Sequence, residues 1–313
     1  MARPEIISKE ELKQLAQTSA WRAWWGVAVN YGILAGAFAL PVLWRHPLAW
    51  AVAAIVLAGR AQAFGILAHD ACHLAYFPSR RLNEWAGKWL FGALPNLSFT
   101  RYRKGHLEHH RLAGTELDPD HGFIAGYPAS RASLLRKLAR DLSGLNGVKN
   151  IAYQLKGIEA ESTLPFLATH GALLGALWLA GAPETYACWW LGQLFVFPLL
   201  VRLRVMSEHG GLPDAMSRDP RLSVGTTLSG PLARLLVTPN NVNYHVEHHL
   251  SAAVPSYRLR AFHRLLVQRG YYEGAACVAP SLWAVVRRCT AAAGAAAPRA
   301  QGRRTRSIFD NMT

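Results

Sequence analysis

Four stretches of the chain are almost free of charge. Residues 24–44, 164–182 and 185–201 carry none, and residues 47–68 carry only Arg60. Each is near the roughly 20 residues that cross about 30 Å of hydrocarbon as a helix. Residues 45–46 and 183–184 leave room only for tight turns, so the stretches pair into two helical hairpins. Everything long then falls on one side: residues 1–23, 69–163 and 202–313. Arg45 and Arg60 are the only Lys or Arg residues outside those three segments. Positive charge marks the cytoplasmic side, so both termini and the long middle segment are expected there. The predicted architecture is an all-α membrane protein. It has four transmembrane helices in two hairpins and a helical cytoplasmic cap.

The remaining segments are read by pattern. Residues 1–23 mix charges without a short apolar core and cleavage site, so they read as a cytoplasmic juxtamembrane helix, not a signal peptide. Residues 24–290 read as a single membrane domain, and the Ala, Gly and Arg-rich residues 291–313 as a disordered basic tail. Arg60 stands at membrane depth and should face the bundle interior or snorkel to its edge. Residues 87–99 are apolar but too short to span, and read as an interfacial or re-entrant segment. Residues 255–266 read as an amphipathic helix with Tyr257, Phe262, Leu265 and Leu266 inward and His263 on the surface. Trp189 and Trp190 are expected to cap a substrate tunnel or to anchor the membrane interface.

Composition alone would mislead. A net charge of +15 and 51% hydrophobic residues describe a basic soluble protein, until the apolar residues are seen to be segregated. The apolar content excludes a disordered chain, and four scattered Cys exclude a disulfide scaffold. There is no CxxC, which argues against a Cys-based zinc or iron–sulfur site. Nucleic-acid binding has only the charge in its favour. Arg outnumbers Lys and Ala is abundant, an association with GC-rich bacterial genomes that suggests a bacterial inner membrane.

Thirteen histidines change the picture, because eight fall in three clusters. His69 and His73 frame HDACH after the second span. His106, His109 and His110 form HLEHH in the middle segment, and His245, His248 and His249 form HVEHH after the fourth span. On a helix, positions i, i+3 and i+4 share a face, so each cluster can present several imidazoles to a pair of metals. At this His content one HxxHH is expected about 0.02 times per chain, so two are not chance. So many imidazoles suit a divalent transition metal such as iron, not magnesium or calcium. Asp70, Glu108 and Glu247 lie beside the rings in sequence. Each is either an acceptor that orients an imidazole or a solvated charge. Cys72 reads as a small buried filler, and His170 within the spans as a hydrogen-bonded interior residue. His121 is left out of the candidate ligands.

The set HDACH, GHLEHH followed by ELDPD, RVMSEHGG, and NVNYHVEHHL with a VP step behind it resembles the membrane-bound fatty acid desaturase family. The likeness covers roughly residues 24–275. It implies a di-iron centre on the cytoplasmic ends of the spans, with O2 as co-substrate. It also implies a ninth ligand between the spans and the third box, a place that only His209 fits. Some relatives have an Asn four residues before that His, where this chain has Val205. Asn241 and Asn243 are then candidates to support the third box.

The resemblance implies O2-dependent removal of two hydrogens from a fatty acyl chain or similar membrane lipid. The rival within the family layout is a hydroxylase or oxygenase acting on a hydrocarbon, carotenoid or small lipid. A distant rival is a non-enzymatic membrane metal carrier, disfavoured because the spans hold few polar residues. Reduction of O2 takes four electrons, two from substrate and two from a donor. Many relatives carry a fused cytochrome b5 domain. No stretch here fits one, so a separate ferredoxin or cytochrome b5-like carrier is expected. Arg101, Arg103, Lys104, Arg111, Arg258, Arg260 and Arg264 are candidates to steer it, or else plain positive-inside charge.

Overall fold

The computed structural model describes residues 6–156 and 160–290, and the predicted basic tail at 291–313 lies outside the described residues. The helices are α1 Lys9–Leu15, α2 Ala20–Leu43, α3 Pro47–Cys72, α4 Arg80–Ala86, α5 Phe99–Leu112, α6 His121–Ile124, α7 Arg131–Leu142 and α8 Leu145–Lys156. They continue with α9 Ala160–Leu179, α10 Ala187–Phe195, α11 Phe197–His209, α12 Pro220–Ser223, α13 Pro231–Leu236, α14 His245–Leu250, α15 Ser256–Gln268 and α16 Leu282–Cys289. Strand is confined, among the described residues, to a two-residue parallel pair, β1 Thr226–Thr227 with β2 Val278–Ala279.

Among the described residues, three helices are long and apolar enough to cross a membrane: α2, α3 and α9, with mean hydropathies of 1.7, 1.8 and 1.2. The fourth apolar stretch is broken. Residues Pro183–Phe195 and Phe197–His209 meet at a 45° bend, so the count is four if the bent pair is one span. Pro198 lies in the first turn of α11. It has no N–H to offer the Leu194 carbonyl, the ordinary cause of such a kink.

α3 is the hub. It runs four residues past the expected end, which carries its last turn to His69 and Cys72. Nearly every residue from Leu57 to Cys72 is buried, Cys72 fully. α2 and α10 flank it. A Cβ on Gly192 of α10 would come 2.5 Å from the Ala54 carbonyl oxygen, so only glycine permits this crossing. Arg60 faces the interior: one guanidinium nitrogen donates to Asn30 Oδ1 at 2.7 Å and another to the Leu235 carbonyl. Gln62 Nε2 donates to the Leu236 carbonyl at 3.3 Å and also to that of Val237. These donors satisfy the open carbonyls at the end of α13, which the sequence pattern did not place beside α3.

Several expectations are refined. The single helix expected over residues 1–23 is interrupted. α1 opens on a Ser8–Glu11 capping box and ends at Leu15, and α2 starts afresh after Ser19. Residues 87–99 turn inward, with Phe91, Leu94 and Phe99 in the same core as α3. Trp189 is 1% exposed in that core, so it is not an interface anchor. His170 lies 2.7 Å from the Tyr186 hydroxyl and 3.0 Å from the Leu94 carbonyl, the hydrogen-bonded interior residue expected. In α15, Leu259, Phe262 and Leu266 are buried while Tyr257 and Leu265 are half-buried. α7 and α8 were not foreseen.

Candidate metal centre

Four elements deliver the histidines. His69 ends α3 and His73 caps it one turn on. His106, His109 and His110 occupy the last turns of α5, whose start is capped by Ser98. His209 is the last residue of α11, and His245, His248 and His249 lie on the short α14. The four ends converge, so all nine candidate ligands share one region.

The imidazoles sort into two groups. His69, His73, His106, His110 and His248 hold their donor atoms within 4.8 Å of one another, and so do His109, His209 and His249. His245 stands beside the second group, its Nε2 3.1 Å from that of His209 and 3.2 Å from that of His249. In the first group the Nε2 atoms of His73 and His106 are 2.9 Å apart, those of His106 and His110 3.1 Å, and those of His110 and His248 2.9 Å. His109 and His249 approach to 3.4 Å, again through Nε2. Two imidazole nitrogens about 2.1 Å from one ion and at right angles to each other are about 3 Å apart, so the spacing fits shared metal ions. His69 Nε2 is buried with no hydrogen-bond partner, among these rings. A bound cation explains that atom; an apolar core does not.

The far sides of the rings set the tautomers. His69 Nδ1 is 3.0 Å from Asp70 Oδ1, and His109 Nδ1 is 2.8 Å from Asp118 Oδ1. His209 Nδ1 is 3.4 Å from the Ser223 carbonyl. A proton kept on Nδ1 leaves the Nε2 lone pair for a metal. Burial, then neighbouring imidazoles, push His106, His245, His248 and His249 well below the usual histidine range. Burial and the nearby Arg103 bring His73 down to about 4, while burial and His73 bring His110 to about 3. Rings held neutral are ready ligands. His109 goes the other way: burial depresses it, but the Asp118 hydrogen bond and the Asp120 and Asp118 charges together raise it.

Of the acidic neighbours singled out by sequence, Asp70 touches its ring. Glu108 instead pairs on the surface with Arg111, Nε to Oε2 at 2.9 Å. Glu247 is fully buried, and its carboxylate accepts from Thr226 Oγ1 at 2.5 Å, from the Tyr272 hydroxyl and from His263 Nδ1. His263 is therefore not the surface residue expected. Asn243 donates to the Thr227 carbonyl at 2.8 Å, and Asn241 takes a left-handed conformation at φ +62° in the turn before α14. Among the basic residues, Arg103 donates to the Cys72 carbonyl at 2.9 Å and lies 3.6 Å from Glu84, tying α5 to the end of α3. Arg101, Lys104, Arg111, Arg260 and Arg264 are exposed and Arg258 is half-buried. His121 is half-buried and belongs to neither histidine group. Sequence reasoning missed Asp118, although its ELDPD run was conspicuous. Nothing in the spacing says which acid of that run turns back to His109.

The family model for fatty acid desaturases matches residues 45–281. Among curated proteins, the chain is 30% identical over 247 residues to a beta-carotene ketolase of Paracoccus sp. (strain N81106 / MBIC 01143), covering 74% of this chain and 89% of the relative. A second beta-carotene ketolase, from Paracoccus sp. (strain PC1), is 29% identical over 68% of this chain and 79% of the relative. The sn-1 oleoyl-lipid 12-desaturase of Arthrospira platensis is 23% identical over 77% of this chain and 74% of the relative. With the match extending over most of its length, and with histidine groups that can hold metal, the chain belongs to the fatty acid desaturase family of membrane di-iron oxidoreductases.

Proposed function

We propose that this chain is an O2-dependent di-iron oxidoreductase attacking a C–H bond of a long hydrocarbon chain dissolved in the membrane. One observation carries the reading: nine imidazoles, three of them held by α3 and α11, meet at one end of the apolar helices. His69, His73, His106, His110 and His248 would hold one iron, and His109, His209, His245 and His249 the other. Bound there, the irons supply the reduction of O2 that makes an unactivated C–H bond reactive. The protein holds the Nε2 lone pairs toward the metals through Asp70, Asp118 and the Ser223 carbonyl. The proposed frame is a single domain over residues 24–290, with four spans in two hairpins. Its termini and histidine boxes are cytoplasmic, in a bacterial inner membrane. A separate ferredoxin or cytochrome b5-like carrier supplies two electrons.

Oxygen insertion is the first reading, favoured by the two ketolases at 30% and 29% identity. A methylene, O2, two electrons and two protons give an alcohol and water, and a second round gives a ketone. Desaturation is the second reading, favoured by the desaturase relative. There two adjacent methylenes, O2, two electrons and two protons give a double bond and two waters. The test is expression, with an electron-donor system, in hosts making beta-carotene or a defined acyl-lipid pool, followed by mass analysis. Gain of oxygen on the carotenoid supports the first reading, and loss of two hydrogens from acyl chains supports the second. Iron-loaded protein that alters neither pool refutes the substrate class.

A further inference from the structure

α7 and α8 form a helical corner whose outer surface is apolar and uncovered by any described part of the chain. Leu142 and Leu145, on either side of the turn, are 52% and 60% exposed, and Val148 on the next turn is 58% exposed. Leu155 continues the stripe along α8 and Leu135 along α7. The corner is rigidly seated. The buried Asp141 carboxylate accepts from Arg202 Nη2 at 2.9 Å and from Asn146 Nδ2 at 2.6 Å. A Cβ on Gly147 would lie 2.0 Å from the Leu194 carbonyl oxygen, and Gly144, at φ +85°, packs on Phe195. The corner therefore stands level with the end of α10.

That level can be placed along the bundle. Gly192 of α10 packs on Ala54 and Ala58 of α3. At 1.5 Å per residue, His69 is about 17–22 Å farther along α3. Leu194 and Phe195 are two and three residues beyond Gly192, so the corner lies on the order of 15–20 Å from the first histidine box. α3, with 26 residues, is longer than the roughly 30 Å of a hydrocarbon core. Level with about residues 56–61 of α3, the corner then falls within that core. Arg140 and Lys149 are exposed one turn back from the corner, within reach of the headgroup layer by snorkelling.

We propose that the α7–α8 corner is inserted in the lipid leaflet on the histidine side, with Leu142, Leu145 and Val148 among the acyl chains and Arg140 and Lys149 at the anionic headgroups. This rests on the membrane-spanning reading of α2 and α3, and the test separates the two. The four native cysteines are buried, so single nitroxide labels can be placed at L145C, at V29C on the exposed face of α2 and at R264C on α15. The protein is reconstituted in phosphatidylcholine vesicles containing phosphatidylglycerol. Accessibility to O2, which concentrates in lipid, is compared with accessibility to a water-soluble nickel chelate. The expected result is a several-fold higher O2-to-nickel ratio at 145 and 29 than at 264. A water-like ratio at 145 beside a lipid-like one at 29 overturns the insertion and leaves the spans standing. A label at 145 shielded from both reagents shows a protein partner or a second copy on this face, which also overturns it. A water-like ratio at 29 removes the spans, and the insertion with them.

Discussion

On the proposed assignment, residues around the two histidine groups divide into those that offer a lone pair to iron and those that aim it. His109 and His249 belong to the first kind, and replacing either by Ala should abolish turnover and lower bound iron, read by metal analysis of the purified protein. Near-normal activity would refute the ligand assignment. Asp118 belongs to the second. The conservative Asp118→Asn change removes the charge that holds the proton on His109 Nδ1 but leaves His109 in place. An effect of about 10–100-fold on iron affinity or activity is expected, the usual cost of losing such a partner. Iron binding and activity equal to the parent would show that Asp118 does not orient the ring.

Glu247 illustrates what spacing does not reveal. In the sequence it sits between two ligands, as Asp70 sits beside one. A short helix turns successive side chains by about 100°, so His245, His248 and His249 face the other imidazoles while Glu247 is carried to the opposite side. There it joins α14 to β1, α15 and Tyr272. Glu247→Ala would strand the buried Thr226 hydroxyl and the half-buried Tyr272 and His263, with a loss of about 1–3 kcal/mol for a fully buried group left unsatisfied and less for the other two. A lowered unfolding midpoint in detergent is expected, and an unchanged midpoint would count against the bracing role.

At the scale of elements, the apolar stretches were legible because a span needs about 20 consecutive apolar residues whatever surrounds it. The histidine boxes were legible because helical spacing alone places i and i+4 on one face. The bend at Val196, the insertion of α13 beside Arg60 and the α7–α8 corner were not legible. The bend has a local cause in Pro198, whose effect on a span its apolar run conceals, while the other two depend on a close approach between elements far apart in sequence, as Gly147 approaches Leu194. This gives a paired expectation. Gly147→Ala forces a methyl onto a backbone oxygen and should destabilise by about 1–3 kcal/mol, the range for overpacking a tight contact. Gly175→Ala, where nothing lies within 4 Å, should be neutral or slightly stabilising through helix propensity. Thermal unfolding of both variants in the same detergent checks the contrast, and equal midpoints would deny the close packing.

For the whole molecule, the metal groups are also joints. Four elements from distant parts of the chain bring their ends together at these rings, and metal bound there would add its binding free energy to that of the fold. Chelation should lower the thermal midpoint markedly while leaving most of the helix signal, because α2, α3 and α10 also pack through an apolar core that extends along α3 well away from the rings. A midpoint indifferent to iron would mean that the groups bind no structural share of it.

Local pattern was enough to give the class of the molecule: apolar helices, charge kept almost wholly out of them, and three histidine clusters too regular for chance. These are local properties, set by helical periodicity and by what hydrocarbon excludes. Tertiary structure alone decided how nine imidazoles divide between two groups, which acids reach their rings, and why Arg60 is tolerated beside the end of α13. Those outcomes turn on distances of about 3 Å between residues up to two hundred positions apart, which only the folded packing of the helices sets.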